Sequence, residues 1–441
     1  MSIRFATGTT IRTATLCLIM VLSSCNSFAM KSDASSQPTS APTHAKSAQS
    51  NFPYNSITSA TTPMSAKYDG TNLLIAACDD TGTEMCYWFK KCMNNDLFTF
   101  YRVGYRNVNR SVSSADGITA DKSITWLNRT ESDNIGPVST DSYADFVGGN
   151  HRWCKKDKNG KPGKGERTTV RTATTDAVTI MADSRRLSPG AAETQCTSVT
   201  VNVANTLYNP LVEPKRGAKR LSSPLISESV TYLVTGNSID VNVTHTYNKP
   251  TTVRRYYGMQ SMFVGETKIE TPDGKYLTGA TPETAKSFNK AAYPLFNRFI
   301  EFNDDGWCQS SWLETAGLGQ HAMIAGDSPI YIRGGNKTYH VLLFGSNVKA
   351  GTPYRWHGVY TWTKPIANNG SILAYTGYIN GRQALFISTK RSMSNHRITV
   401  PGEWKEIKII ERTGDITLNA SGNAIAISAS EPSSIIITQK Q

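Results

Sequence analysis

The stretch SIDVNVTHTY, Ser238 to Tyr247, decides the fold class of this chain. After the first serine, every second residue is apolar or aromatic, with one histidine among them, and the residues between are Asp, Asn and Thr. Because successive side chains of a β-strand point to opposite faces, this alternation predicts a strand with one apolar side. The apolar side holds Ile239, Val241, Val243, His245 and Tyr247.

Similar stretches lie on both sides of this one. Runs rich in Val, Ile, Thr and Tyr are separated by Gly, Asn, Asp and Pro, which is typical of a strand-rich domain. They are LFTFYRVGYRNV from Leu97, TTVRTATTDAVTIMAD from Thr168, TSVTVNVANTLY from Thr197, ESVTYLVTG from Glu228 and KTYHVLLFGS from Lys337. Further short runs follow KPIANNGS, which starts at Lys364, and they predict a small β-sandwich. We therefore predict an all-β, mainly antiparallel chain.

One stretch, TPETAKSFNKAAY from Thr281, instead predicts a helix. Thr281 can cap the helix, Pro282 suits the first helical position, and Glu283 lies in the first turn, where a negative charge is favourable. Pro294 is expected to end or kink it.

The N-terminus has the layout of an export signal, predicted at 1–30, with a basic start, the apolar run ATLCLIMVL and small residues after it. LSSC, ending at Cys25, resembles the bacterial lipoprotein box, whereas SFA before Met30 suits ordinary signal peptidase. We prefer the first interpretation, in which a lipid on Cys25 attaches the protein to a membrane. The apolar run is shorter than the about 20 residues that a spanning helix needs. The predicted location is the periplasm or the outer membrane, including the cell surface.

The mature chain is predicted to have three parts. Residues 31–66 are rich in Ser, Thr and Pro and poor in large apolar groups, as in a disordered tether. A large β domain is predicted over 67–365, and a small C-terminal β domain over 366–441.

The formal net charge of +13, with a pI near 9.3, favours an acidic partner. Anionic glycan, lipopolysaccharide, nucleic acid and a membrane surface all qualify, but export argues against nucleic acid. Two basic runs carry much of the charge, CKKDKNGKPGKGER from Cys154 and EPKRGAKR from Glu213. The alternative is that both are solvated loops that keep the protein soluble.

Six cysteines lie beyond the predicted signal, at Cys78, Cys86, Cys92, Cys154, Cys196 and Cys308. An even number in an exported protein is compatible with disulfides, of which Cys86 with Cys92 is the most plausible local pair; buried thiols are the alternative. Their spacing contains no paired CxxC clusters, so we expect no metal site. Nor does the sequence contain a phosphate loop, an HExxH helix or a GxSxG elbow, and we expect no cofactor.

A long antiparallel β domain followed by a small β-sandwich resembles secreted bacterial carbohydrate-active proteins with a mutarotase-like β-supersandwich, such as polysaccharide lyases. RRYYGMQSMF from Arg254 and YRWHGVYTW from Tyr354 have the aromatic and basic character of sugar-binding strands. The resemblance implies a large β-supersandwich-like domain and action on a polysaccharide. It covers the architecture alone and assigns no catalytic residue.

The residue types themselves suggest cleavage of an acidic polysaccharide by metal-independent β-elimination. That reaction needs a group to neutralise the uronate carboxylate, a base for the adjacent proton and an acid for the leaving oxygen; Asn or Arg, His, and Tyr can supply these. The predicted catalytic residues are Asn150, His151, His245, Arg254, Tyr256 and Tyr257. The predicted substrate-binding residues are Asn134, Arg152, Trp153, Arg255, Arg355, Trp356 and His357.

Three alternatives stay open. The same basic and aromatic residues suit a non-catalytic glycan-binding lipoprotein, and a purely structural envelope protein would leave each histidine as an ordinary core or surface residue. A glycoside hydrolase would need two carboxylates, for which EFNDDGW supplies Glu301, Asp304 and Asp305, with Glu314 nearby. NDDG is also strong turn chemistry.

Overall fold

A computed structural model describes residues 62–79, 82–109, 113–128, 137–140, 146–155, 169–277, 285–315, 328–333 and 337–439. Its regular elements in these ranges are all β-strands. The described part therefore offers no helix that is long and apolar enough to cross a membrane. The predicted signal, Cys25 and Asn134 lie outside the described residues.

In chain order the strands are β1 Met64–Tyr68, β2 Asn72–Cys78, β3 Thr83–Cys92, β4 Leu97–Asn107, β5 Thr125–Trp126, β6 Val138–Thr140, β7 Phe146–Val147, β8 Ala173–Ala182, β9 Arg185–Arg186, β10 Thr194–Cys196, β11 Val199–Tyr208, β12 Pro224–Thr235, β13 Ser238–Tyr247, β14 Thr251–Ser261, β15 Glu266–Glu270, β16 Ala285–Phe288, β17 Arg298–Asn303, β18 Cys308–Leu313, β19 Ile330–Arg333, β20 Lys337–Val348, β21 Pro353–Thr363, β22 Ala367–Asn368, β23 Ile372–Ile379, β24 Arg382–Thr389, β25 Met393–Thr399, β26 Ile407–Thr413, β27 Ile416–Ser421, β28 Ala424–Ala429 and β29 Ser433–Gln439.

These strands form antiparallel sheets. The N-terminal sheet has the order β10-β1-β2-β3-β4-β5, the nine-stranded sheet β15-β17-β18-β21-β13-β12-β11-β8-β9, and the β14 sheet β16-β19-β20-β14-β6-β7. The two C-terminal sheets have the orders β22-β23-β24-β29-β26 and β25-β28-β27. The prediction of an all-β, mainly antiparallel chain is confirmed.

The stretch SIDVNVTHTY forms β13, near the middle of the nine-stranded sheet. It pairs with β12 on one side and β21 on the other, so that Val243 lies between Val230 and Trp356. Its apolar side enters a core shared by the N-terminal sheet, the nine-stranded sheet and the β14 sheet. In that core the ring of Phe100 meets Tyr232, Tyr360 and Trp362 edge to face at centroid distances of 5.5 to 6.1 Å.

The C-terminal sheet β22-β23-β24-β29-β26 shares a second core with the nine-stranded sheet. Ile300, Trp312 and Val359 from β17, β18 and β21 pack against Tyr375 and neighbouring residues of β23, β24 and β29. Arg298 is only 1% exposed at this contact and donates hydrogen bonds to the hydroxyls of Ser388 and Ser434 at 2.6 and 2.5 Å. The domain boundaries predicted from the sequence stay predictions, and β1 begins at Met64.

The prediction of a helix from Thr281 is wrong for the part of that stretch that is described. Ala285–Phe288 is a strand that pairs with β19, and Phe288 is buried in a cluster with Phe299. The residues after it turn instead, with the amide of Ala292 donating to the side chain of Asn289 at 2.8 Å. Pairing at a sheet edge and burial of one aromatic ring outweigh a helix propensity that is worth only tenths of a kcal/mol per residue, roughly.

The predicted Cys86–Cys92 disulfide is also wrong. Both residues lie in β3, where a rise of about 3.3 Å per residue separates them by far more than the about 7 Å that a disulfide allows. The structure has no disulfide among the cysteines that it describes, and all of these except Cys154 are buried.

Candidate functional site

Strand β14 directs the two tyrosines of the VRRYYG stretch to opposite sides of its sheet. Tyr256 enters the main core and is 0% exposed, whereas Tyr257 lies on the other face with Tyr339 and Val341. The register with β6 shifts between Val253 and Arg255, which is the signature of a β-bulge. The register shift keeps Val253 and Tyr256 on the core side and leaves Arg255 on the side of Tyr257.

Around Arg255 the β14 sheet gathers a set of aromatic side chains that we call the aromatic–arginine cluster. It consists of Phe146, Arg255, Tyr257, Tyr331, Tyr339 and Phe344. The ring of Tyr257 stacks on Phe146 at 5.7 Å and on Tyr331 at 5.3 Å, and it is tilted against Tyr339 at 4.6 Å between centroids. Phe344 is 50% exposed, so the cluster reaches the surface.

The guanidinium of Arg255 is held among these rings. Its central carbon lies 5.4 Å from the ring centroid of Tyr257, 5.3 Å from Tyr331 and 5.4 Å from Phe344, within the range of cation–π attraction. Its Nη1 donates a hydrogen bond of 2.6 Å to the hydroxyl of Tyr257. The planar guanidinium of an arginine held in one position suits bidentate binding of a carboxylate.

His151 joins the cluster through Phe146. The imidazole lies 4.9 Å from the ring of Phe146, and Phe146 in turn stacks on Tyr257. The stretch GGNHRW, which starts at Gly148, therefore forms a tight turn and lies next to β14. Its glycines Gly148 and Gly149 have positive φ angles of 86° and 49°, which other residues rarely adopt.

The turn between β3 and β4 holds the loop of Gly149 to His151 in position through hydrogen bonds. The side-chain amide of Asn95 donates to the carbonyl oxygens of Gly149 and His151 at 2.7 and 2.9 Å. Asn150 accepts a hydrogen bond of 3.0 Å from the backbone amide of Asn94 through its side-chain oxygen. The position of His151 thus depends on hydrogen bonds made far away in the sequence.

The pKa of Tyr257 decides whether this residue can act as an acid or as a base. Burial raises its pKa to about 12, and this outweighs the opposing effect of the hydrogen bond and charge of Arg255. Tyr257 is therefore protonated near neutral pH, and it can donate a proton or a hydrogen bond but is a poor base.

His245, Tyr256 and Trp356 lie together in the core, behind the β14 sheet. His245 is 0% exposed, its Nε2 lies 2.7 Å from a carboxylate oxygen of Glu228, and its ring is 4.6 Å from Tyr256. Trp356 donates from Nε1 to the hydroxyl of Tyr256 at 2.9 Å. Burial raises the pKa of Tyr256 well above its usual value. The structure does not bring these three residues to the aromatic–arginine cluster.

His357 lies in a separate buried ionic group. Its Nδ1 is 2.7 Å from Glu314 and its Nε2 is 3.1 Å from Asp240, whose carboxylate also accepts from the backbone amide of Asn380 at 2.8 Å. Burial lowers the pKa of His357, but the two carboxylates outweigh it and raise the value to about 9. The imidazolium therefore links β13 and β21 to the turn between β23 and β24.

The remaining predicted residues are spread over the surface. Trp153 packs on Val170 and Leu221 and donates to the carbonyl of Pro210 at 3.0 Å, and Arg152 donates to the carbonyl of Thr169 at 2.5 Å. Arg254 and Arg355 lie in β14 and β21, and Arg355 is exposed.

The carboxylates considered for a hydrolase are not paired around one cleft. Asp304 and Asp305 form the exposed turn between β17 and β18, as the turn interpretation of NDDG predicts. Glu301 is buried and accepts from the hydroxyl of Ser261; burial first, and then the charge of Glu266, raises its pKa well above the usual value.

Sequence reasoning gave no role to the aromatic residues Phe146, Tyr331, Tyr339 and Phe344. Tyr331 and Tyr339 show the alternation of strand residues, which places each on one face of its own strand. They come together because β20 pairs with both β19 and β14. Pairing between strands that are distant in the chain cannot be predicted from local sequence.

Comparisons with known proteins gave similarity at the level of architecture. No protein-family model and no curated protein matches the chain. Among solved structures, it is similar to the galactosidase domain of an α-galactosidase–sucrose kinase, with 12% identity over 68% of this chain and 42% of that chain and a TM-score of 0.34. It is also similar to galactose 1-epimerase from Lactobacillus acidophilus, with 10% identity over 69% and 99% and a TM-score of 0.30.

A polysaccharide lyase is a further match, with 7% identity over 87% of this chain and 47% of that chain and a TM-score of 0.26. The chain spans less than half the length of the first solved galactosidase and N-acetylgalactosaminidase chains that it matches. The solved structures to which the chain is similar thus include carbohydrate-active proteins, as the predicted architectural resemblance implies, but with such TM-scores the similarity extends to no site and no activity.

Proposed function

We propose that this protein is carbohydrate-active and binds an acidic polysaccharide at the aromatic–arginine cluster, with His151 at its edge. The placement of Arg255 supports this most directly, since its guanidinium is fixed among aromatic rings and hydrogen-bonded to Tyr257 at 2.6 Å. Guanidinium groups pair with carboxylates, and aromatic rings give large apolar contacts with sugar faces at low entropic cost. The net charge of +13 would concentrate a polyanion at the surface.

The chemistry proposed for this site is β-elimination. Arg255 would neutralise the uronate carboxylate, and His151 would take the proton from the carbon beside it. The electron pair of that C–H bond forms a carbon–carbon double bond, the bond to the leaving oxygen breaks, and Tyr257 protonates that oxygen. Because its pKa is raised to about 12, Tyr257 carries the proton that this step needs near neutral pH.

Incubation with uronic-acid polysaccharides tests this proposal. We expect new ultraviolet absorbance from an unsaturated uronate with at least one substrate of a broad panel, and none with neutral glucans. Reducing ends without that absorbance would instead indicate hydrolysis, and no product from any member of the panel would contradict elimination.

Non-catalytic binding is the second candidate, and the burial of Tyr257 favours it. The side chain is 7% exposed and its hydroxyl already accepts from Arg255, so that it can support the cluster without meeting a leaving group. This candidate predicts retention on an immobilised acidic glycan that salt weakens, with no product.

Export and anchoring through a lipid on Cys25 belong to the same proposal. The support is the sequence pattern alone, a basic start, an apolar run and LSSC. In a bacterial host, the full chain should fractionate with membranes and incorporate labelled fatty acid, and Cys25→Ser should lose both properties. Unchanged fractionation of Cys25→Ser would contradict a lipid anchor at this residue.

A further inference from the structure

The N-terminal sheet carries a second group of aromatic and basic side chains, which we call the β3–β5 surface. It consists of Trp88, Lys90, Tyr101, Arg102 and Trp126, all partly exposed. The ring of Trp88 lies 5.0 Å from Tyr101 and 6.5 Å from Trp126 between centroids. No sequence motif pointed to this group, because its members come from three strands.

A β-bulge creates the surface. Trp88 pairs with Arg102, but the next residue, Phe89, pairs with Phe100, so that Tyr101 is the extra residue. In a regular strand Tyr101 and Arg102 would point to opposite faces, whereas here the core takes Phe100 and Val103, three residues apart. Tyr101 and Arg102 are therefore both left on the outward side.

Gly104 makes room for the third ring. A Cβ at Gly104 would lie 2.9 Å from a ring carbon of Trp126 and 2.6 Å from the carbonyl oxygen of Thr125, closer than real contacts allow. The absent side chain lets the indole of Trp126 lie against β4, next to Arg102.

The two cations lie against rings. Lys90 Nζ is 3.7 Å from the ring centroid of Tyr101 and 4.6 Å from that of Trp88, and the guanidinium carbon of Arg102 is 5.0 Å from Trp126. Among the residues that the structure describes, neither cation pairs with a carboxylate, and Arg102 Nε is buried without a hydrogen-bond partner.

Two other cations of the same sheet, Arg106 and Lys67, are neutralised. Arg106 pairs with Glu84 at 2.5 Å and with Asp121 at 2.6 Å, and Lys67 pairs with Asp116. Aromatic rings supply attraction to a cation but no compensating charge, so the positive charge of Lys90 and Arg102 is open to an anion.

We propose that the β3–β5 surface is a second binding site for an acidic polysaccharide, in which Lys90 and Arg102 pair with carboxylate or sulfate groups and the rings contact sugar faces. The ligand class rests on the proposed function, but the site itself requires no catalysis. It lies on the N-terminal sheet, whereas the aromatic–arginine cluster belongs to the β14 sheet.

The test measures binding of the full chain to polygalacturonate and dextran sulfate, with neutral dextran as the control ligand. The double variant Lys90→Gln and Arg102→Gln should raise Kd by about threefold or more and lower the salt concentration that elutes the protein from an anionic column. The matched control, Arg185→Gln with Arg186→Gln, removes two exposed charges from β9 and should bind like the unaltered protein.

A measurement without mutation runs in parallel. Polygalacturonate should protect the amine of Lys90 from acylating reagents, read by mass spectrometry, but not that of Lys405, whose side chain is 75% exposed and pairs with Glu403. Equal protection of both lysines, or a double variant that binds like its control, would overturn the second site. Arg255→Gln separates the two proposals: if it changes nothing while the Lys90 and Arg102 variant loses affinity, only the function proposed for the aromatic–arginine cluster fails.

Discussion

The hydroxyl of Tyr257 and the guanidinium of Arg255 form the contact on which the proposed site depends. Their hydrogen bond is 2.6 Å long, and the tyrosine remains protonated near neutral pH because burial raises its pKa to about 12. The sequence predicted both residues, but it also grouped Tyr256 with them, although Tyr256 lies on the core side. Adjacent residues of a strand face opposite ways, so only the direction of β14 in its sheet decides which tyrosine reaches the surface.

The variant Tyr257→Phe distinguishes a catalytic role of Tyr257 from a role in supporting the aromatic–arginine cluster. If Tyr257 is the acid, the rate of unsaturated product formation should fall about 100-fold or more, since general acid catalysis contributes roughly 10²–10⁴. Stability should fall by only about 1 kcal/mol, because the ring and its stacking remain. Initial rates and thermal unfolding check this, and a variant with full activity would leave Tyr257 only a supporting role.

The raised pKa of His357 predicts that the stability of the protein depends on pH. Its folded pKa of about 9 lies above the unfolded value, about 6.5, so its contribution is complete below pH 6.5 and is lost as the pH rises towards 9. The free energy of unfolding should fall on the order of 2–3 kcal/mol over this window. Denaturant titrations at several pH values measure it, and His357→Gln should flatten the curve. Equal slopes for the two proteins would contradict the assignment.

At the scale of single elements, bulges and tight turns position the side chains that matter. The register shift in β14 leaves Arg255 beside Tyr257, and the glycine turn between β7 and the next segment brings His151 to Phe146. The strand was predictable from the sequence, since its residue pattern is a local signal. The sequence pattern misassigned Ala285–Phe288, because the partner that makes this segment a strand, β19, is distant in the chain.

Gly148→Ala tests the turn. A side chain at a φ of 86° is strained by about 1–2 kcal/mol, and a turn that shifts to relieve this strain should displace His151 and weaken glycan binding. Gly190→Ala, at a φ of 76° with no atom within 4 Å, is the matched control. Both variants should lose similar stability, and only Gly148→Ala should lose affinity. Equal affinities in calorimetric titrations would argue against a role for the turn.

At the scale of the whole molecule, cores shared between sheets connect them to one another. The alternation of SIDVNVTHTY correctly predicted the apolar side of β13, but its polar side is also covered in part, since Asp240 is buried beneath the turn at Asn380. The local alternation of apolar and polar residues identifies strands and the all-β fold class. It does not contain the order of strands in a sheet, and hence neither the aromatic–arginine cluster nor the β3–β5 surface.

The shared core around Trp312 and Tyr375 predicts cooperative unfolding. Because Tyr375 and Phe386 pack against Trp312 of the nine-stranded sheet, and Arg298 of β17 donates across this contact to Ser388, the folded part should melt in one calorimetric transition. Replacing Phe386 with Ala in that core should lower the whole transition, at a cost of about 3–5 kcal/mol. Two well-separated transitions, of which only one moves in this variant, would contradict this coupling.

Binding of a uronic-acid polysaccharide by Arg255→Gln tests whether the aromatic–arginine cluster is an acidic-glycan site. Calorimetric titration with polygalacturonate should show that the unaltered protein binds, that Arg255→Gln loses about tenfold or more in affinity because a charge-assisted pair is removed, and that Arg186→Gln, a change on the exposed strand β9, binds normally. Equal affinities of Arg255→Gln and Arg186→Gln would contradict an acidic-glycan site at the aromatic–arginine cluster.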